Sequence, residues 1–95
     1  MGNYKLSEAA KIDLIRIHQY GVLNFGEDQA DRYYSAFFVQ FEKIAENPYL
    51  NQAVDYIRKD YRRCVFGVDS IYYRIKNDSI EIIWIIIGRQ DFQLK

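Results

Sequence analysis

Ninety-five residues, 49% of them apolar, are the length of one domain (1–95) and enough for a core without disulfide or metal staples. Thirteen basic residues balance thirteen acidic ones, so bulk charge selects no partner, and Cys64 as the single cysteine excludes an internal disulfide. No apolar run reaches membrane-spanning length and the N-terminus lacks a secretory pattern, so a cytoplasmic protein is expected.

Asn3 to Leu6 reads as a short strand. Ser7 stands where an N-cap belongs, and Glu8 suits the positive end of a helix dipole. The spacing predicts a helix from Glu8 to about Asn24. Ala10, Leu14, Ile17 and Gly21 form one stripe, with Ile12, Ile15 and Val22 on a neighbouring one. That wide apolar face suits packing on both a helix and a sheet. Phe25-Gly26 breaks the pattern. A second helix follows from Glu27 to Glu46, with Ala30, Tyr33, Tyr34, Phe37, Phe41, Ile44 and Ala45 at helical period and Phe38 off the stripe as a contact residue. Asn47-Pro48 stops it, because the residue before proline avoids the helical region. The short break between the helices implies an antiparallel hairpin.

After a loop at Tyr49 to Gln52, strands are expected at Ala53–Ile57, Tyr61–Phe66, Ser70–Lys76 and Ser79–Ile87, with Gly67 at one turn and Gly88 after the last strand. Asn77-Asp78 is a two-residue hairpin loop. It sets a register: Lys76 opposite Ser79, Ile75 opposite Ile80, Arg74 opposite Glu81, Tyr73 opposite Ile82, Ile71 opposite Trp84. One face then carries Ile71, Tyr73, Ile75, Ile80, Ile82 and Trp84. The other carries the Arg74–Glu81 pair and also Tyr72, Ile83, Ile85 and Ile87. A bulge near Ile83-Trp84 would exchange the faces beyond it. Two apolar faces need two covers, one from the rest of the chain and one from a partner. The layout is an α+β two-layer domain: N-terminal strand, antiparallel helical hairpin, antiparallel β-meander.

Little points to catalysis. His18 is the only histidine and sits mid-helix without a second ligand nearby, so neither a metal site nor a Ser-His-Asp arrangement can be built, and no cofactor is implied. Gly26, Gly67 and Gly88 form no phosphate-binding loop. The charges are unevenly spread. Ile57 to Lys76 holds six basic residues (Arg58, Lys59, Arg62, Arg63, Arg74, Lys76) against two acidic, and Glu27 to Glu46 holds five acidic against two basic. A solvated surface and recognition of an acidic partner or phosphates are equal readings of this. Arg62 and Arg63 open a strand and therefore point to opposite faces.

The chain resembles the ParE branch of the RelE/ParE toxin superfamily. The matching residues are Tyr4-Lys5-Leu6-Ser7, Ala10, Asp13-Leu14, Ile17, Tyr20, Phe25-Gly26, Gln29-Ala30, Tyr33, Asn47-Pro48, Tyr61-Arg62-Arg63, Ile71-Tyr72-Tyr73-Arg74 and Gly88-Arg89-Gln90-Asp91. The series runs in order over nearly the whole chain. The resemblance implies a RelE/ParE-like fold and the toxin of a type II toxin–antitoxin pair. Its implied partners are a ParD-like antitoxin, in a hetero-oligomer, and DNA gyrase with or without bound DNA. A toxin of this kind acts by binding and is not an enzyme. The alternatives from other classes are a RelE-type ribosome-dependent mRNA endonuclease and an inactive homologue that only binds antitoxin. Trp84 and Ile87 depart from the family pattern, which often has a basic residue and a histidine there, and they make the last strand more apolar. The expected target surface is Arg62, Arg63, Arg89, Gln90 and Asp91. The expected antitoxin surface is Tyr72, Arg74, Ile83, Ile85 and Ile87.

Overall fold

The computed structural model describes residues 3–77 and 79–87, with only the backbone described at Ile83, Ile86 and Ile87. In chain order the elements are β1 (Asn3–Leu6), α1 (Glu8–Phe25), α2 (Glu27–Glu46), β2 (Gln52–Ala53), β3 (Tyr61–Phe66), β4 (Asp69–Lys76) and β5 (Ser79–Ile87). They build one five-stranded sheet in the order β1-β5-β4-β3-β2, with β1 parallel to β5 and every other pairing antiparallel. The two helices pack on one face. The α+β class and the strand–hairpin–meander order are as expected from the sequence.

Local chemistry sets the helix ends. The Ser7 hydroxyl accepts the Ala10 N–H at 3.0 Å, an N-cap bond that satisfies one of the first-turn donors. Gly26 alone separates α1 from α2, at φ 89° and ψ 162°, a region that side chains avoid. Its N–H donates to the Val22 carbonyl and its own carbonyl accepts the Ala30 N–H, so one residue closes one helix and starts the next. Just before it, Gly21 lets the helices approach: a Cβ there would stand 3.1 Å from the Ala30 Cβ. At the far end of α2, the Tyr73 hydroxyl donates to the Pro48 carbonyl at 2.6 Å and ties the chain after the helix to β4.

Between helices and sheet lies the main core. It contains Ala10, Leu14 and Ile17 of α1, Phe37, Phe41, Ile44 and Ala45 of α2, and Cys64, Ile71, Tyr73, Ile80, Ile82 and Ile85 of the sheet. Each fully buried large side chain contributes about 1.5–3 kcal/mol. Phe38 belongs to the edge of this core, packed on Phe41 and Tyr34. The predicted width of the α1 face is too great. Ile12 and Ile15 remain 64% and 55% exposed, because the sheet and α2 cover only the Ala10–Leu14–Ile17 stripe.

Two further expectations are corrected. The strand expected at Ala53–Ile57 is only Gln52–Ala53. Beyond it the chain turns: Ile57 and Arg58 N–H both donate to the Val54 carbonyl, and Tyr61 N–H to that of Arg58. Asp55 takes the Asp60 N–H at 2.8 Å and holds Asp60 at φ 68°. Local bonds of aspartate compete with the strand ladder, and here they prevail. This turn lays Val54 and Ile57 over Tyr61, Tyr72 and Trp84, so part of the second sheet face is covered by the chain itself.

The second correction is the register of the last hairpin. Lys76–Ser79, Ile75–Ile80, Arg74–Glu81 and Tyr73–Ile82 pair as expected, with Asn77 at φ 52° in the turn. The next pair is Tyr72–Trp84, then Ile71–Ile85, so Ile71 does not face Trp84. Ile83 is the extra residue of a bulge. It stands where β1 ends, since Leu6 pairs with Ile82 and Ser7 N–H donates to the Ile82 carbonyl at 2.9 Å. The bulge turns Trp84 to the second face and Ile85 into the main core.

Candidate functional site

Past Leu6 the outer edge of β5 has no strand partner among the described residues. Two α1 side chains one turn apart take its place at Ile85. Asp13 Oδ2 accepts the Ile85 N–H at 3.0 Å, and Arg16 Nη2 donates to the Ile85 carbonyl at 3.2 Å. The two also pair with each other, Arg16 Nη2 to Asp13 Oδ1 at 3.4 Å. Sequence reasoning assigned Arg16 no role, and Asp13 stood there only among the residues that match the family. Their signal was a charged pair at i, i+3 on either side of the buried Leu14.

Arg16 also borders a cavity of about 640 Å³ toward the Gly26 end of the helical hairpin. Its walls are Ile17, Tyr20, Phe25, Tyr33 and Val68, with Arg32 and Asp69 at the polar end. Asp69 is buried at the start of β4. The Tyr33 hydroxyl donates to Asp69 Oδ2 at 2.6 Å and also lies 3.2 Å from the Phe66 carbonyl. Burial raises the Asp69 carboxyl above its usual range, opposed by the Tyr33 hydrogen bond and the Arg16 charge. Burial first, then Asp69, also pushes the Tyr33 phenol upward. Gly67, at φ 57°, leaves the room this contact needs, because a Cβ there would be 2.7 Å from the Tyr33 hydroxyl. Outside the cavity, α1 carries Ile12, Ile15 and Leu23, the last 85% exposed.

His18 bonds Asp31 Oδ1 through Nε2 at 2.7 Å and meets the Tyr34 ring edge-on, joining α1 to α2. No group of three metal-ligating side chains occurs among the described residues. Cys64 is buried against Gln40, and burial pushes its thiol up.

The expected surfaces are rearranged. Arg62 lies on the helix side, where it donates to the Asn51 carbonyl at 2.7 Å and stacks over Tyr49. Arg63 lies on the opposite sheet face, opposite Tyr72 of β4. The two therefore do not share a patch. Arg89, Gln90 and Asp91 fall outside the described residues. Of the expected antitoxin surface, Tyr72 and Ile85 are fully buried within the chain and offer a partner no area: Tyr72 lies under the 54–61 turn, and the bulge carries Ile85 into the core. Arg74 is part-exposed and bonded through Nε to Glu81 at 2.6 Å. The side chains of Ile83 and Ile87 are outside the description.

This fold, a sheet with a helical hairpin on one face, is also that of a chain in the solved chromosomal ParDE toxin–antitoxin system of P. aeruginosa. That chain matches with a TM-score of 0.82 at 19% identity, over 94% of this chain and 98% of that one. The family model described as ParE toxin of type II toxin-antitoxin system, parDE, matches residues 4–92. Toxin ParE1 of Caulobacter vibrioides is 36% identical over 86 residues, 90% of this chain and 88% of its own length. Toxin ParE1 of Mycobacterium tuberculosis is 30% identical over 89 residues, 93% and 91% of the two chains. The chain belongs to the ParE toxin family of type II toxin–antitoxin systems.

Proposed function

We propose that this toxin inhibits DNA gyrase and blocks replication, that it acts by binding and not as an enzyme, and that a ParD-like antitoxin neutralises it. The gyrase target and the binding mode are what the resemblance to ParE toxins implies. The observation that carries the antitoxin reading is the outer face of α1: Ile12, Ile15 and Leu23 stand exposed beside an apolar cavity, on a chain whose main core is already filled. Such a surface is larger than a lone domain needs and suits an arm that folds as it docks. Antitoxin contact is therefore assigned to α1 and the cavity, with Arg74 at the sheet as the part-exposed member, among the described side chains, of the surface expected from the sequence. Target contact is assigned to the segment Arg89-Gln90-Asp91 and to Arg63, the basic residue that the sheet does not turn toward the helices.

The test is purified gyrase and supercoiled DNA with and without this protein, scored for trapped cleaved DNA. Trapped DNA that disappears when antitoxin is added is the expected result. Arg89→Ala should strongly reduce growth inhibition while leaving antitoxin binding and melting temperature near the parent. Rapid translational arrest with cut mRNA would replace this reading by an endonuclease. Expression without any growth defect would leave only antitoxin binding.

A further inference from the structure

The sheet face turned away from the helices carries its own charge pattern. Strand alternation and the observed register place Lys5 of β1, Arg63 of β3, and Arg74 and Lys76 of β4 on it. Arg58 joins them from the covering turn, its guanidinium 5.5 Å from the Trp84 ring centre and 5.9 Å from that of Tyr61. Glu81 is the one carboxylate on the described strands of this face, and it is paired with Arg74. The two acids of the turn, Asp55 and Asp60, line a small pocket with Tyr49, Tyr61 and Arg62. Among the described residues, a chain with no net charge thus sets five cations on this side against Glu81 on the strands and Asp55 and Asp60 in the turn. That segregation creates a positive field that the total charge conceals.

We propose that this face binds the phosphate backbone of duplex DNA through Lys5, Arg58, Arg63, Arg74 and Lys76. The inference goes beyond the gyrase reading and does not require gyrase to be present.

Three observations favour a duplex over other polyanions. The cations lie on three strands and a turn, so they form a broad patch and not a single row, which suits the two-stranded charge lattice of a duplex. The aromatic rings of the face, Tyr61 and Trp84, are roofed by Arg58, so they offer no open platform for unstacked bases. The duplex keeps its bases stacked and presents phosphates alone. Finally, among the described residues most exposed large apolar side chains stand on α1 and in loops, and Val65 is the one on the strands of this face, so an apolar peptide finds less to hold here than a polyanion does. Recognition here is of the backbone and independent of sequence.

The experiment is fluorescence anisotropy of a labelled, random-sequence DNA duplex titrated with the purified chain between about 50 and 200 mM salt. Contact with four to five phosphates gives a slope of about −4 in log K against log salt and a loss of roughly two hundredfold across that range. Lys5→Gln and Lys76→Gln, both at exposed positions, should each reduce the slope by about one. Lys5→Glu with Lys76→Glu should weaken binding more than tenfold at unchanged melting temperature. Lys43→Glu, on α2, should bind like the parent. The proposal is overturned if no duplex binding is seen at the lowest salt, or if the Lys5 and Lys76 variants bind as the parent does. Equal binding of a single strand of the same length would overturn the choice of duplex. Tighter binding of poly-glutamate would assign the face to an acidic polypeptide instead.

Discussion

The Asp13 carboxylate accepts the backbone N–H of Ile85 at 3.0 Å, across seventy-two positions of sequence. It stands in for a strand: β1 ends at Leu6, and from there the edge of β5 is held by a helix side chain. Ile85 itself is fully buried, so an Asp13→Ala protein would leave its amide without a partner or water. A loss of about 1–3 kcal/mol in chemical denaturation is expected. The Ile85 amide should also lose protection from hydrogen exchange more than the amides of β3.

The buried Asp69 makes stability depend on pH. Its carboxyl titrates higher in the folded chain than in the unfolded one. The folded state therefore holds the proton more tightly. This group favours folding fully below the unfolded value near 3.8, and that contribution is lost as pH rises through the raised folded value. Melting curves of Asp69→Asn should lack this loss, so parent and variant should diverge as pH rises from about 4 toward neutral, with the variant gaining relative to the parent.

Tyr33→Phe removes the hydroxyl that donates to Asp69. A hydrogen bond to a charged group contributes about 1.5–3 kcal/mol, so destabilisation of that order is expected at neutral pH. Because that bond lowers the Asp69 carboxyl, its titration should move higher still in the variant, visible by carbon-detected NMR of the carboxyl.

Gly26→Ala should cost about 1–3 kcal/mol although a Cβ there would meet no atom within 4 Å. The cost comes from φ 89° and ψ 162° and not from space. Gly26→Asn should recover little, since this conformation lies outside the left-handed helical region that asparagine tolerates. Denaturation midpoints of both variants test this.

Trp84 is the only tryptophan and lies beneath Arg58, so its emission reports the cover of the second sheet face. Arg58→Ala should shift the emission to longer wavelength while lowering stability by no more than about 1 kcal/mol. An unshifted spectrum would show that the arginine does not roof the ring in solution.

Much of this architecture was legible because it is local. The Ser7 cap, the Phe25-Gly26 break, the Asn47-Pro48 stop and the Asn77-Asp78 turn each act within a few residues, and they delimit α1, α2 and the last hairpin. The register from Lys76–Ser79 to Tyr73–Ile82 follows from the turn alone. The candidate surfaces were less legible. Tyr72 and Ile85 are apolar strand residues whose exposure depends on what lies above them, and neither the 54–61 turn nor the bulge has an unambiguous sequence signal.

Residue order, periodicity and turn chemistry were thus sufficient for the elements other than β2 and for their sequence along the chain, and the matching residues carried the family resemblance. The packing of distant parts decided the rest. Ile83 bulges where β1 stops, since an uninterrupted strand would have pressed the Trp84 indole against the helices and turned Ile85 outward. With the bulge, Trp84 joins Tyr61 and Tyr72 on the second face, and Ile85 enters the core within reach of Asp13 and Arg16. Those choices depend on the edge that each strand finds beside it and on the volume left by two helices. Both are properties of the assembled sheet and are absent from any short stretch of the chain.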